Sequence, residues 1–127
     1  FDVSHNEESI NSFYKTIVNY NFSGRKTLFI SLQKTKILHK SAQILSNYFD
    51  KIICVQLNNR MYTTNQLSSF FSDTVQTEQT NNHQNKLQNT LNESSSNDLI
   101  AIIGTHYWGE HIENTFKISL VDTQYKL

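Results

Sequence analysis

Three short apolar runs restrict the fold more than anything else in this chain. Thr27-Leu28-Phe29-Ile30-Ser31-Leu32, Lys51-Ile52-Ile53-Cys54-Val55-Gln56-Leu57 and Leu99-Ile100-Ala101-Ile102-Ile103 are rich in branched and aromatic residues and lack polar alternation. A strand with one wet face alternates, whereas a strand covered on both faces does not. Between the runs the period changes. Ile10, Phe13, Tyr14, Ile17 and Val18 follow helical spacing over Glu8 to Tyr20, and Ile37, Leu38, Ser41, Ala42, Leu45, Tyr48 and Phe49 do the same before the second run. Strands separated by helices pair in parallel through right-handed crossovers. The expected fold class is therefore α/β: a three-layer, Rossmann-like domain over residues 1–127, with a mostly parallel sheet of about six strands. Besides the three runs, strands are expected to end at Val3, to lie briefly near Val75, and to form an antiparallel edge over Lys117 to Val121.

Local signals set the boundaries. Ser4 with Glu7 reads as a capping box, so a helix is expected just after Ser4, and Thr63 with Gln66 reads as a second one, opening a helix through Leu67, Phe70 and Phe71. Ser23-Gly24 ends the first helix, and Gly104-Thr105-His106-Tyr107 turns out of the last apolar run into a helix marked by Trp108 and Ile112. Gln76 to Asn97 is the weakest stretch. Its only large aliphatic residues are Leu87 and Leu91, enough for one thin helix, and it is expected to be mobile because it buries too little to offset its ordering entropy.

Composition excludes several classes. Formal net charge is zero, so no basic field holds nucleic acid. No apolar run approaches the roughly 20 residues a membrane helix needs. Cys54 is the only cysteine, which excludes an internal disulfide and a cysteine zinc cluster, and its place inside a strand makes it an inert core residue. The expected setting is reducing and cytoplasmic. The five histidines show no metal-binding spacing, and His39 and His83 are expected at the surface. The chain begins at Phe1 with no initiator Met and a strand already ending, so it reads as a piece of a longer protein.

The candidate site lies where the first strand meets the first helix. Asp2 and His5 occupy a loop at the carboxyl end of a strand, where ligands bind in open α/β sheets. A helix N-terminus there offers backbone N–H groups to a phosphate. Two readings are open: a nucleotide site, or an acid and an imidazole that solvate a helix start. His106 either lines the same cleft or caps a turn. Lys34 and Lys36 either meet an anionic substrate or form a solvated helix start. Tyr107 and Trp108 are read as core aromatics rather than base-stacking ones.

The motifs together resemble a known family. Asp2-Val3-Ser4-His5-Asn6 is similar to a D-G-A-H-N motif, and Asp98 through Glu110, with Gly104, Tyr107, Gly109 and Glu110 in register, resembles D-x-strand-G-S-x-Y-x-x-G-E. Gln33 to Lys36 stands where a D-K-D-like loop is expected. The pattern is that of the C-terminal domain of the Mur ligase superfamily, closest to dihydrofolate and folylpolyglutamate synthases. Three departures stand out: Val3 for a glycine, Glu7 for a proline, and Lys34-Thr35-Lys36 without the acids.

The resemblance implies an ATP-dependent amide ligase that adds glutamate to dihydropteroate or folate through an acyl phosphate. It implies that Asp2 hydrogen-bonds the ribose of ATP and that His5 lies near the transferred phosphate or the incoming amino acid. In the family the P-loop, the magnesium (Mg) ligands and a carbamylated lysine belong to the central domain. No G-x-x-x-x-G-K-[ST] occurs in this sequence, so the piece alone is expected to be inactive, with ATP and glutamate bound at the interface with that P-loop domain. Two other readings are a Mur-type ligase for a peptidoglycan precursor and a non-catalytic Rossmann-like binding module.

Overall fold

The computed structural model describes residues 1–2 and 4–116. Four strands form one all-parallel sheet: β1 (Lys26–Ile30), β2 (Lys51–Val55), β3 (Gln76–Thr80) and β4 (Leu99–Ile103), in the spatial order β3-β2-β1-β4. Five helices intervene: α1 (Glu7–Ile17), α2 (Lys40–Tyr48), α3 (Thr64–Ser68), α4 (His83–Asn92) and α5 (Trp108–Phe116). The register sets Leu28 beside Ile52 on one side and Ala101 on the other.

Alternate strand residues face opposite layers, which explains the unbroken apolar runs. Leu28, Ile30, Ile52, Cys54, Ala101 and Ile103 pack with Ile10, Ile17, Leu38, Leu45 and Leu67 from α1, α2, α3 and the loop before α2. Phe29, Ile53, Val55 and Ile102 pack on the other face with Leu87, Trp108 and Ile112 from α4 and α5. Cys54 is fully buried, and burial pushes its thiol pKa up to about 12, so it is inert as a nucleophile.

The sheet has four strands among the described residues rather than about six. The antiparallel edge expected over Lys117 to Val121 lies outside those residues. Where the first strand was expected, two backbone hydrogen bonds join the described residues to the end of β4. The Asp2 N–H donates to the Ile102 carbonyl at 3.0 Å, and the Gly104 N–H donates to the Ser4 carbonyl at 2.7 Å. Asp2 and Ser4 are thereby tied to the end of β4.

The polar stretch from Gln76 to Asn97 holds the one thin helix expected on Leu87 and Leu91, and a short strand next to Val75. It forms β3 and α4. β3, at the edge of the sheet, is held on one side by its backbone pairing with β2, and Glu78 receives Lys51 and Lys86, each at 2.7 Å. Those partly exposed ion pairs are worth under about 1 kcal/mol each. Burial of Leu87, 1% exposed, contributes roughly 2 kcal/mol and is the larger anchor. His83, expected at the surface, is half-buried against Trp108, and burial followed by the nearby His111 holds its imidazole below the ordinary pKa.

Two capping assignments divide. Thr63 and Gln66 form their capping box as expected. Ser4 and Glu7 do not: Asn6 is the N-cap of α1, and Ser9 completes the box. The Ser4 hydroxyl is drawn to Asp2 and to the Ser9 carbonyl, so a residue two positions later takes the cap. Glu7 points elsewhere. His39, the N-cap of α2, makes no side-chain cap bond. The Glu7 carboxylate fills that role from α1, accepting from the His39 N–H, the Ser41 N–H at 3.2 Å and the Ser41 hydroxyl at 2.7 Å.

Desolvation alone would raise the Glu7 pKa, but the bonds from His39 and Ser41 outweigh it and leave it lowered. Replacing Glu7 with Ala is expected to lower stability by about 1–2 kcal/mol, the usual cost of a lost cap. The depressed pKa means that this contribution is full at neutral pH. It fades as pH falls below the ordinary carboxylate range and through the folded-state value. Urea unfolding of wild type and Glu7→Ala across acidic pH should show the two curves converging.

Candidate functional site

The carboxyl ends of three strands send their loops to one rim. β1 leads into Ser31-Leu32-Gln33-Lys34, β2 into residues 56–63, and β4 into Gly104-Thr105-His106-Tyr107. The N-terminal segment reaches the same rim through the Ser4–Gly104 bond. The acid-imidazole stretch and the glycine turn are therefore neighbours, although they lie about a hundred residues apart in the chain.

Gly104 makes that junction possible. Its φ is 113°, a left-handed conformation that glycine adopts without strain. A Cβ there would also stand 2.0 Å from the Ser31 carbonyl oxygen. The turn then fixes its neighbours. Thr105 is buried, its hydroxyl accepts from the Tyr107 N–H at 3.3 Å, and Trp108 Nε1 donates to the Ile103 carbonyl at 2.9 Å.

Asp2 holds its own loop. Its Oδ1 accepts from the Ser4 N–H at 2.8 Å and from the Ser4 hydroxyl. Both bonds fall on one oxygen, so Oδ2 keeps its acceptor capacity for a donor arriving from outside. Asp2, Ser4, Asn6, Ser9 and Phe13 are among the residues lining an open groove of about 440 Å³. His5 is exposed beside that groove rather than lining it. The N-terminus of α1 is a poor phosphate site. Asn6 already takes the Ser9 N–H at 2.8 Å, and Glu7 and Glu8 stand in the first turn.

The opposite side of the rim carries cations. The Lys34 N–H donates to the Arg60 carbonyl at 3.0 Å, and the Tyr62 N–H to the Leu32 carbonyl at 2.8 Å, so the loops after β1 and β2 are tied together. Arg60 Nη1 donates to the Tyr107 hydroxyl at 3.1 Å, which joins the β2 loop to the β4 loop. His106 stacks on Tyr107 with ring centroids 4.4 Å apart. Lys34 and His106 are exposed, whereas Lys36 is half-buried and its carbonyl accepts from the Tyr62 hydroxyl. Tyr107, read as a core aromatic, is only half-buried and faces the rim, while Trp108 is fully in the core. Sequence reasoning passed over Arg60. Its one signal is its place at the end of Asn58-Asn59-Arg60, just past a buried strand.

No family model and no curated protein matches the sequence. Solved structures do match in fold. A bifunctional folylpolyglutamate synthase/dihydrofolate synthase from Yersinia pestis, complexed with AMPPNP and Mn, superposes with a TM-score of 0.79 at 15% identity, covering 93% of this chain and 28% of that one. FolC of E. coli, in complex with DHPP and ADP, gives 0.79 at 16% identity over 92% and 28%. A folylpolyglutamate synthase/dihydrofolate synthase with Mn, AMPPNP and L-glutamate bound gives 0.79 at 14% identity over 93% and 28%. The chain therefore shares the fold of one segment of these synthases and spans about 28% of their length. The resemblance drawn from the motifs holds at the level of the fold.

Gly104→Ala is expected to destabilise the protein by at least the roughly 1–3 kcal/mol of a strained backbone conformation, with the Ser31 clash added. A drop in the urea midpoint at unchanged slope checks it.

Proposed function

We propose that this chain is the C-terminal, glutamate-ligase domain of a longer ATP-dependent amide ligase of the folylpolyglutamate/dihydrofolate synthase type. The observation that carries the reading is the junction of two distant motifs at one rim: Ser4 bonded to Gly104, with Asp2 on one side and Tyr107 on the other. The fold likeness to ligases bound to nucleotide and, in one case, L-glutamate supports it. In this reading the protein works in the cytoplasm.

The chemistry divides between domains. ATP phosphorylates the carboxylate of the acceptor, and the amine of glutamate attacks the resulting acyl phosphate, expelling phosphate. The P-loop domain does the phosphoryl transfer, and this domain positions the ligands, because positioning and charge stabilisation are most of what such a reaction needs. Asp2 Oδ2 takes a ribose hydroxyl, a neutral donor that the acidic first turn of α1 does not repel. His5, at the groove's edge, meets the transferred phosphate or the incoming amino acid. Arg60 and Lys34 suit anionic groups across the domain gap, Arg60 through its planar fork. Among the described residues no cluster of three or more His, Cys, Asp or Glu is gathered for a metal ion. Magnesium is therefore assigned to the central domain, and no step in this chain runs through it. By itself the domain is inactive.

Two measurements on the intact protein check this. ATP-dependent incorporation of glutamate into dihydropteroate or folate is expected, and absence of product with either acceptor removes the folate reading. In the same assay Asp2→Ala is expected to raise the apparent ATP KM by roughly tenfold, the value of one good charge-assisted hydrogen bond. An ATP KM equal to wild type takes Asp2 out of the nucleotide site.

A further inference from the structure

Two imidazoles meet where α4 packs beside α5. His83 opens α4, and His111 lies in the first turn of α5. His83 Nε2 stands 2.8 Å from His111 Nδ1, with ring centroids 4.5 Å apart and planes at 77°. Both rings are half-buried and both meet Trp108 edge-on, at centroid distances of 5.8 and 6.5 Å. The facing nitrogens hold one proton between them, one ring donating and the other accepting.

That proton count limits the charge the pair can bear. In the neutral pair the accepting ring carries its own proton on its outward nitrogen, and the outward nitrogen of the donating ring is unprotonated. A first added proton goes to that outward nitrogen. The hydrogen bond survives and becomes charge-assisted. A second added proton has only the accepting nitrogen left, and that nitrogen faces an N–H. Protonation there breaks the bond and sets two positive rings against each other.

The surroundings favour one charge on the pair rather than two. The sheet presents Phe29, Ile53, Val55 and Ile102 to this layer, all apolar. On α4 the next charged side chain is Lys86, one turn on, and Glu78 of β3 holds it at 2.7 Å. On α5 the exposed Glu110 and the half-buried Glu113 flank His111 in sequence and ease the first protonation. Phe1 packs against the same cluster, and its ammonium interacts with Asp2. Burial first, and then His111, hold the His83 imidazole below its ordinary pKa.

We propose that His83 and His111 form a clasp that holds α4 on α5 at neutral pH and opens when acid charges both rings. α4 is the element released, because Leu87 is its only buried residue. The sign follows from the lowered imidazole pKa. The contribution of the clasp is full above the ordinary imidazole value of roughly 6.5, and it is lost as pH falls through the lower folded-state value.

Amide hydrogen exchange of the 127-residue chain, corrected for the intrinsic pH dependence of exchange, tests the clasp. Between about pH 7.5 and about pH 5, protection in α4 is expected to fall roughly tenfold relative to β1, since one pKa unit of coupling is a factor of ten. His83→Gln and His111→Gln each keep a hydrogen-bonding side chain that does not titrate, and each should flatten that fall. His39→Gln, at an exposed histidine elsewhere, should retain it. The Glu7 cap acts on α2, so reading α4 separates the two pH effects. Protection in α4 that tracks β1 at every pH overturns the clasp, as does a fall that survives both substitutions. If a variant fails to fold, NMR titration of the histidine rings in the wild-type chain decides. His83 and His111 should move together through two shared steps, and two independent single steps overturn the pairing.

Discussion

The parallel pairing of β1 with β2 and β4 is the constraint on which the rest of the molecule depends. β1 is held on both edges, and its Leu28, Phe29 and Ile30 are completely buried between the two helical layers. Each such side chain contributes roughly 1.5–3 kcal/mol by leaving water, several times the worth of the ion pairs around Glu78. Because the register is shared, the carboxyl ends of β1, β2 and β4 finish level. Every loop that builds the rim starts from that common edge.

The rim is a consequence of close approach. Gly104 lets the end of β4 pass within contact of Ser31 and turn towards α5. The same residue's N–H anchors Ser4, and so carries Asp2 and His5 to the site. One small residue thus couples the two motifs that support the ligase reading. Arg60 and Tyr107 extend the coupling to β2 through a single hydrogen bond.

Glu7, where the resembled motif has a proline, takes a structural role of its own. A proline there would offer α2 no acceptor. Glu7 instead caps a helix whose own N-cap residue makes no side-chain bond. The acid also makes the start of α1 less hospitable to phosphate.

The sequence by itself determined the layer order, because apolar runs without alternation demand cover on both faces and helical stripes supply it. It also marked the Gly104 turn, since a glycine just past an apolar run is legible as a local signal. Tertiary structure decided the rest. Ser4 lost the cap to Asn6 because Asp2 competed for its hydroxyl, and β3 formed from a wholly polar segment by pairing one side of its backbone with β2. Arg60 reached Tyr107, and His83 reached His111, across separations of 47 and 28 residues. Such contacts leave no periodic trace in a sequence. They arise only when independent loops and helices are brought to the same edge of the sheet.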